Sequence, residues 1–400
     1  MMMGSSNRLA LALCLLLGAC ATQPSKILEP VATSAPGASR VDMLVATTRK
    51  PASDPGELFT GERATAISLT NIVVSIPPDS NRKVGEIQWP GRSPGNPQTD
   101  FVTLQVKPVL STNAAMDWYR RNRGPKRRLL VFVHGFNNTY SDAVYRFAQI
   151  SHDAGIDATP VLFTWPSRAS VFDYVYDKES TNYSRFALEE MLREAAKSPD
   201  VGEVTILAHS MGSWLATEAL RGMALRDKSI SAKIRNVVLA SPDIDIDVFR
   251  RQIIEMGPKR PHFTIFSSRN DRALALSRWL SGDVERVGAA DMRPYTAELA
   301  TLGISIIDTS DVKAGDPLAH NTFADSPEMV RVLGQRLSGQ SLAGGEASLA
   351  DQVGMAALGG ARVAGAAVTA PVAILGQANR SEFLQRIEAA SAPGRKTLDY

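Results

Sequence analysis

The chain has 400 residues, of which 44% are hydrophobic and 21% charged, the balance of a globular protein able to bury a full core; disorder throughout is excluded. A formal charge of +3 is small for this length and argues against a nucleic-acid partner. The basic cluster Arg120, Arg121, Arg123, Lys126, Arg127 and Arg128 lies in polar sequence just before a predicted strand and reads as its solvated entry. No zinc-ligand spacing exists, so no metal site is expected.

At the amino terminus, Asn7-Arg8 precedes the apolar run Leu9 to Ala19, far too short to span a bilayer as a mature helix. It reads as a secretory signal over residues 1–19. The run ends Leu17-Gly-Ala-Cys20, which resembles the lipobox of bacterial lipoproteins, where cleavage precedes a cysteine that is then acylated. Cys20 is therefore the candidate lipidation site, the alternative being ordinary cleavage after Ala19 or Ala21. Cys14 and Cys20 are the only cysteines, so a processed, acylated protein has no disulfide. Alanine at position 21, by the same resemblance, implies an outer-membrane lipoprotein facing the periplasm. Residues 20–40, rich in Pro, Ser, Ala and Thr, read as the lipidated terminus and a flexible tether.

Residues 41–128 form a strand-rich extension. Short apolar runs at Val41–Ala46, Ser68–Ile76 and Phe101–Val106 are separated by Pro, Gly and Asp clusters without intervening helices, which predicts an antiparallel edge or small cap. From Leu129 to residue 337 buried strands alternate with helices, the texture of a parallel sheet. Strands are predicted at 129–133, 160–165, 204–208, 234–240, 263–266 and 304–307, with helices near 142–153, 183–196, 210–225, 248–255 and 327–337. In the second helix Leu188, Met191, Leu192 and Ala195 mark one buried face. Residues 338–400 form a Gly/Ala-rich tail. Its apolar stretch Val353–Gly376, interrupted by Arg362 and Pro371, reads as a surface or partner-bound helix rather than a membrane span.

Val204-Thr-Ile-Leu-Ala-His-Ser-Met-Gly212 is a β-branched run ending in a serine between small residues, with an amphipathic segment directly after it. This is the form of a nucleophile elbow, where a strained strand-to-helix turn projects the serine hydroxyl above the sheet. Ala208 stands where glycine is usual, a departure of one methyl. If Ser210 attacks a carbonyl it needs an imidazole to take its proton and a carboxylate to orient that ring. His134 directly follows a core strand, His152 lies in a helix, His209 points away from the elbow, and His262 opens a buried strand. Only His320, in Asp316-Pro-Leu-Ala-His-Asn-Thr-Phe323, sits in a loop after the last predicted strand. Asp271, just beyond the penultimate strand, is the preferred acid. Asp243 is the alternative, although Asp243, Asp245 and Asp247 could instead cap the next helix. The strand ending Val133-His-Gly-Phe136 supplies Phe136 N–H as one candidate oxyanion donor, and Met211 N–H is the other. His134 then holds its loop and is not the base.

With these pieces in this order the chain resembles the α/β-hydrolase superfamily, specifically a bacterial esterase/lipase-superfamily group of uncharacterised function. The features are His-Gly-Phe-Asn-Asn at 134–138, Phe163-Thr-Trp-Pro-Ser167, Ala-His-Ser-Met-Gly at 208–212, and the order Ser210, Asp271, His320, over roughly residues 129–337. The resemblance implies an α/β fold and hydrolysis of carboxylic esters through an acyl-serine, with no cofactor. Trp165 reads as a wall of the acyl pocket or a core residue. The expected partners are an ester, lipid or cell-wall derived, and the membrane through Cys20. An acyltransferase or thioesterase on the same scaffold, or an inactive lipid-anchored binding protein, are the competing functions.

Overall fold

In the computed structural model, which describes residues 26–338, nine strands form one sheet in the order β3-β2-β1-β5-β4-β6-β7-β8-β9. The strands are β1 (Ser39–Pro51), β2 (Phe59–Ile76), β3 (Val102–Val109), β4 (Arg128–Val133), β5 (Thr159–Thr164), β6 (Glu203–His209), β7 (Ile234–Ala240), β8 (His262–Ser267) and β9 (Ile304–Asp308). All neighbours from β1 to β9 pair in parallel, while β2 and β3 add an antiparallel edge. The expected edge is therefore present, but β1 is built into the parallel sheet beside β5, so residue 128 does not divide the sheet into separate bodies. Cys20, the apolar run before it and the Gly/Ala-rich tail lie outside the described residues. No helix among those described is long and apolar enough to cross a membrane.

The central strands are largely apolar on both faces because both faces are covered. In β4, Leu129, Val131 and Val133 enter one core with Ala208 of β6, while Leu130 and Phe132 enter the other. The first core is closed by α1 (Thr112–Asn122), α3 (Tyr174–Lys197), α4 (Met211–Asp227) and α5 (Ile246–Met256), through Trp118, Leu188, Leu215 and Phe249. The second is closed by α2 (Tyr140–Asp153), α8 (Thr322–Asp325) and α9 (Pro327–Leu337). Phe132 stacks on Phe147 of α2 at 5.2 Å, and burying one such side chain stabilises by about 1.5–3 kcal/mol.

Several helices depart from the expected pattern. α1 was not anticipated; Ser111 caps it by accepting from Ala114 N–H, and its Arg120 pairs with Asp117 and Asp200. Arg123 also pairs with Asp200, and Lys126 with Asp157, so these members of the basic cluster are neutralised locally. α3 begins at Tyr174 rather than near 183, because its first turns bury Asp177, Ser180 and Thr181 against polar partners that an apolar periodicity does not register. α6 (Arg272–Leu280) and the short α7 (Thr296–Thr301) are also additional, α6 burying only Leu274 and Ser277.

Chain order places β5 on one side of β4 and β6 on the other, which creates a topological switch point. In open α/β sheets the crevice beyond the strands' carboxyl ends at such a point is the preferred ligand site. His134 after β4, Ser210 after β6 and Asp271 four residues beyond β8 all stand at those ends.

Candidate active site

Ser210 occupies the turn between β6 and α4 with φ 53° and ψ −122°, a conformation that costs a non-glycine residue on the order of 1–3 kcal/mol. Three backbone hydrogen bonds hold it there. Ser210 N–H donates to Ala240 O at 2.9 Å, and Ser210 O accepts from Ser213 N–H at 3.0 Å and from Asp243 N–H at 3.2 Å. Gly212 is required by close approach: a Cβ there would lie 2.2 Å from His134 O and 2.6 Å from Val133 O. Ala208 is accepted because its methyl joins the core between Val133 and Leu239, its register partners, instead of facing that crossing.

His320 and Asp271 are brought together as expected. His320 Nδ1–H donates to Asp271 Oδ2 at 2.7 Å, and a carboxylate can only accept, so Nε2 keeps its lone pair. The other carboxylate oxygen, Oδ1, accepts from Leu274 N–H at 2.9 Å, capping α6. Asp271 is thus fixed at both ends by the turn after β8 and by the His320 loop. Burial opposes a charge on the His320 ring, but Asp271, with Asp243 and Asp316 behind it, outweighs burial and raises its pKa above the ordinary imidazole value. Asp316 also tethers the loop by accepting from the His320 and Asn321 amides at 3.2 and 3.3 Å.

Among the described residues the Ser210 hydroxyl makes no direct hydrogen bond to His320. Catalytic contacts of this kind are often loose until substrate binds. The two residues are linked through His209, and here the structure corrects an expectation. His209 faces the His320 loop rather than pointing away: its ring lies 4.7 Å from that of His320 and 4.8 Å from Phe323, and its Nε2 is 3.3 Å from His320 O. The carbonyl can only accept, so Nε2 carries the proton. Burial, reinforced by His320, drives the pKa of His209 well below ordinary and keeps it neutral.

Asp243 does not contact His320 by hydrogen bond. Its carboxylate accepts from Ser277 Oγ at 2.6 Å and Tyr174 Oη at 3.1 Å and pairs with Arg286 at 3.3 Å, a closed buried cluster. Asp245, as expected of the acidic cluster, caps α5 by accepting from Val248 N–H.

The segments that carry the two expected oxyanion donors lie beside the serine. Gly135, next to Phe136, packs so tightly that a Cβ would stand 2.9 Å from Ser210 Cβ, and Met211 directly follows the serine. Neither the Phe136 nor the Met211 amide has an acceptor among the described residues, whereas the next two amides do: Asn137 N–H donates to Asp177 and Asn138 N–H to Ser167. Asn138 Nδ2 donates back to Phe136 O at 2.8 Å, and the capping box of Thr139 and Asp142 starts α2 immediately afterwards. The loop is thereby pinned with its first amides unpaired.

His134 is structural, as expected. Its Nε2 accepts from Trp165 N–H at 3.1 Å, so the proton sits on Nδ1 and is donated to Gly135 O at 2.8 Å. Burial, then the charge of Arg49, holds its pKa down at about 3. Trp165 stacks on this imidazole at 4.8 Å, donates Nε1–H to His134 O, and is fully buried, which settles it as a core residue.

Sequence reasoning missed the support behind this loop. Register shifts in the β1–β2 pairing on either side of Arg49 accompany a side chain turned inward and 1% exposed. Its guanidinium donates to Thr164 Oγ1, Ser167 O and Asn138 O at 2.9, 2.9 and 2.7 Å. Thr164 Oγ1 in turn lies 2.9 Å from His134 Nε2. Burial lowers the Arg49 pKa to about 10, opposed by the nearby Asp177 charge. Asp177 of α3 accepts from Ser167 Oγ at 2.5 Å and from Arg168 N–H at 3.0 Å, with burial raising its pKa. No local motif marks either residue; an arginine just after a strongly apolar strand start was the one available hint.

A family model described as "Alpha/beta hydrolase of unknown function (DUF900)" matches residues 111–336. No curated protein matches the chain. Among solved structures it is similar to an esterase from Pyrobaculum calidifontis at 12% identity, covering 69% of this chain and 82% of that one, with a TM-score of 0.32. It is also similar to a predicted CIB-like hydrolase from Thermoplasma acidophilum at 13% identity, covering 68% and 93%, with a TM-score of 0.33. A third likeness is to carboxyl esterase 2 from the mycorrhizal fungus Tuber melanosporum, at 10% identity, 82% and 97% coverage, and a TM-score of 0.35. With a nine-stranded, mostly parallel sheet between helices and a family match over more than half its length, the chain belongs to this family of α/β hydrolases of unknown function.

Proposed function

We propose that the protein is a serine hydrolase that cleaves carboxylic esters through an acyl-serine, and that it works in the bacterial cell envelope on a lipid anchor at Cys20. The observation that carries the chemistry is the His320–Asp271 hydrogen bond in a loop packed on His209, the residue next to the strained Ser210. Ser210 Oγ attacks the ester carbonyl as its proton passes to His320 Nε2, and Asp271 stabilises the imidazolium. Charge developing on the carbonyl oxygen meets the unpaired amides of Phe136 and Met211. Collapse breaks the ester C–O bond, the departing alkoxide takes the proton from Nε2, and water then releases the acid by the same steps in reverse.

Labelling with a fluorophosphonate probe tests this directly. Wild-type protein is expected to be modified at Ser210, with no labelling in Ser210→Ala and strong loss in His320→Ala; full labelling of either variant overturns the assignment. Release assays over matched ester, thioester and amide substrates, in water and with acceptor alcohols, separate ester hydrolysis from the thioesterase and transferase chemistries. The anchor is tested by fractionation: Cys20→Ser is expected to leave the membrane fraction and to lose incorporation of labelled palmitate.

A further inference from the structure

We infer that the site of Ser210 takes an anionic ester, and that Lys178 receives its carboxylate or phosphate. The inference rests on Ser210 marking the reactive centre. Lys178 lies on the face of α3 that also carries Tyr174 one turn before it and Asn182 one turn after, the i, i+4, i+8 repeat of a single stripe. Both neighbours touch residues around the serine turn. Tyr174 packs edge-on against Phe136 at 5.4 Å and donates to Asp243, whose own amide holds Ser210 O. Asn182 Oδ1 accepts from Trp214 Nε1–H at 3.1 Å, and Trp214 stands four residues past Ser210 in α4. Between these contacts the Lys178 ammonium sits 3.8 Å from the centre of the Trp214 ring, beside the first turn of α4.

No carboxylate of the described residues lies within ion-pair distance of Lys178, and every acidic group near it is engaged elsewhere. Asp243 is taken by Arg286, Ser277 and Tyr174, and Asp245 caps α5. Glu218 accepts from Gln252 and Arg221 and lies 3.8 Å from Arg185. Lys178 thus has carboxylates in its neighbourhood but no contact ion pair of its own. The amino-terminal end of α4 adds its own partial positive charge at the same place, so the helix repels a cation there and attracts an anion. Burial lowers the Lys178 pKa to about 8, against the opposing charges of Asp243, Glu218 and Asp245. A half-buried ammonium without a contact carboxylate, beside the first turn of the helix that follows Ser210, is stabilised when a ligand brings a negative charge to it.

Binding to the Ser210→Ala protein tests this without turnover, so it stays distinct from the labelling test of the serine. One arm compares a hemisuccinate ester with its methyl-capped, neutral counterpart; the other compares octanoylglycerol phosphate with octanoylglycerol. The anionic member of at least one pair is expected to bind about 10- to 100-fold more tightly, the span of one charge-assisted contact. Adding Lys178→Met should abolish that ratio, Lys178→Arg should retain most of it, and Lys178→Glu should invert it. The arm that shows the ratio identifies carboxylate or phosphate as the recognised group. Equal affinities within both pairs, or a ratio that survives Lys178→Met in a folded protein, overturn the inference.

Discussion

Replacing Asp271 with asparagine isolates the orienting role of the carboxylate from its structural one. In the native site Oδ1 accepts from Leu274 N–H and Oδ2 from His320 Nδ1–H. An asparagine side chain keeps the helix cap by placing its carbonyl oxygen on Leu274, and asparagine caps helices as well as aspartate does. Its NH2 group then faces Nδ1 and requires Nδ1 to accept, which moves the ring proton to Nε2. A protonated, neutral Nε2 cannot take the serine proton. In other serine hydrolases the same tautomer error lowers kcat by about 10⁴-fold, or about 5.4 kcal/mol of barrier. The expected result is a loss of that order in kcat on a nitrophenyl ester and in the fluorophosphonate labelling rate, with Tm within a few degrees of wild type. A variant within about threefold of wild-type kcat, correctly folded, would refute the assignment of Asp271 as the orienting acid.

The competing carboxylate is expected to behave in the opposite sense. Asp243→Ala leaves Arg286 buried without a countercharge, which should cost about 3–5 kcal/mol of stability in urea unfolding, whereas Asp243→Asn should keep most of the pH profile of the chemical step. The profile itself follows from His320: a base must be neutral, and this ring's pKa is raised, so kcat/KM should rise with pH to a midpoint above about 6.5. Stability moves the other way. A folded pKa above the unfolded one contributes stability that is fully present below the unfolded pKa and is lost as pH rises through the folded value, so Tm should fall over the window in which activity appears. An activity midpoint at or below the ordinary imidazole value would contradict this reading of the loop. Finally, Gly212→Ala forces a Cβ against two backbone carbonyls that cannot move aside, and should unfold the protein or cost several kcal/mol by thermal melting; a stable variant would show that the elbow is looser than described.

The apolar central strands and the small residues around Ser210 were legible in the sequence because their causes are local. A β-branched run buried on both faces and a turn that tolerates no side chain at residue 212 leave their mark within nine consecutive residues. His320 was legible by its place in chain order, being the one histidine in a loop after the last strand. Elsewhere local pattern was silent. The start of α3 is missed because its buried face is made of Asp177, Ser180 and Thr181, and the burial of Asp177 and Ser180 is favourable only once Ser167 and Arg63 stand opposite them.

Two candidate acids looked alike in sequence, each an aspartate just beyond a strand. Tertiary structure separated them by what surrounds each: an imidazole and a helix amide for Asp271, a guanidinium and two hydroxyls for Asp243. The same holds for Arg49, which reaches the loop after β4 at Asn138 and the end of β5 at Thr164, some 90 to 115 residues away along the chain. The sequence by itself determined which strands are buried, where the chain must turn sharply and which serine stands at that turn, since burial and backbone sterics act between near neighbours. Only the folded chain decided which carboxylate meets the His320 ring, why His209 packs on its loop and how Arg49 braces the segment after β4, because charge and hydrogen bonding depend on partners that distant segments bring together.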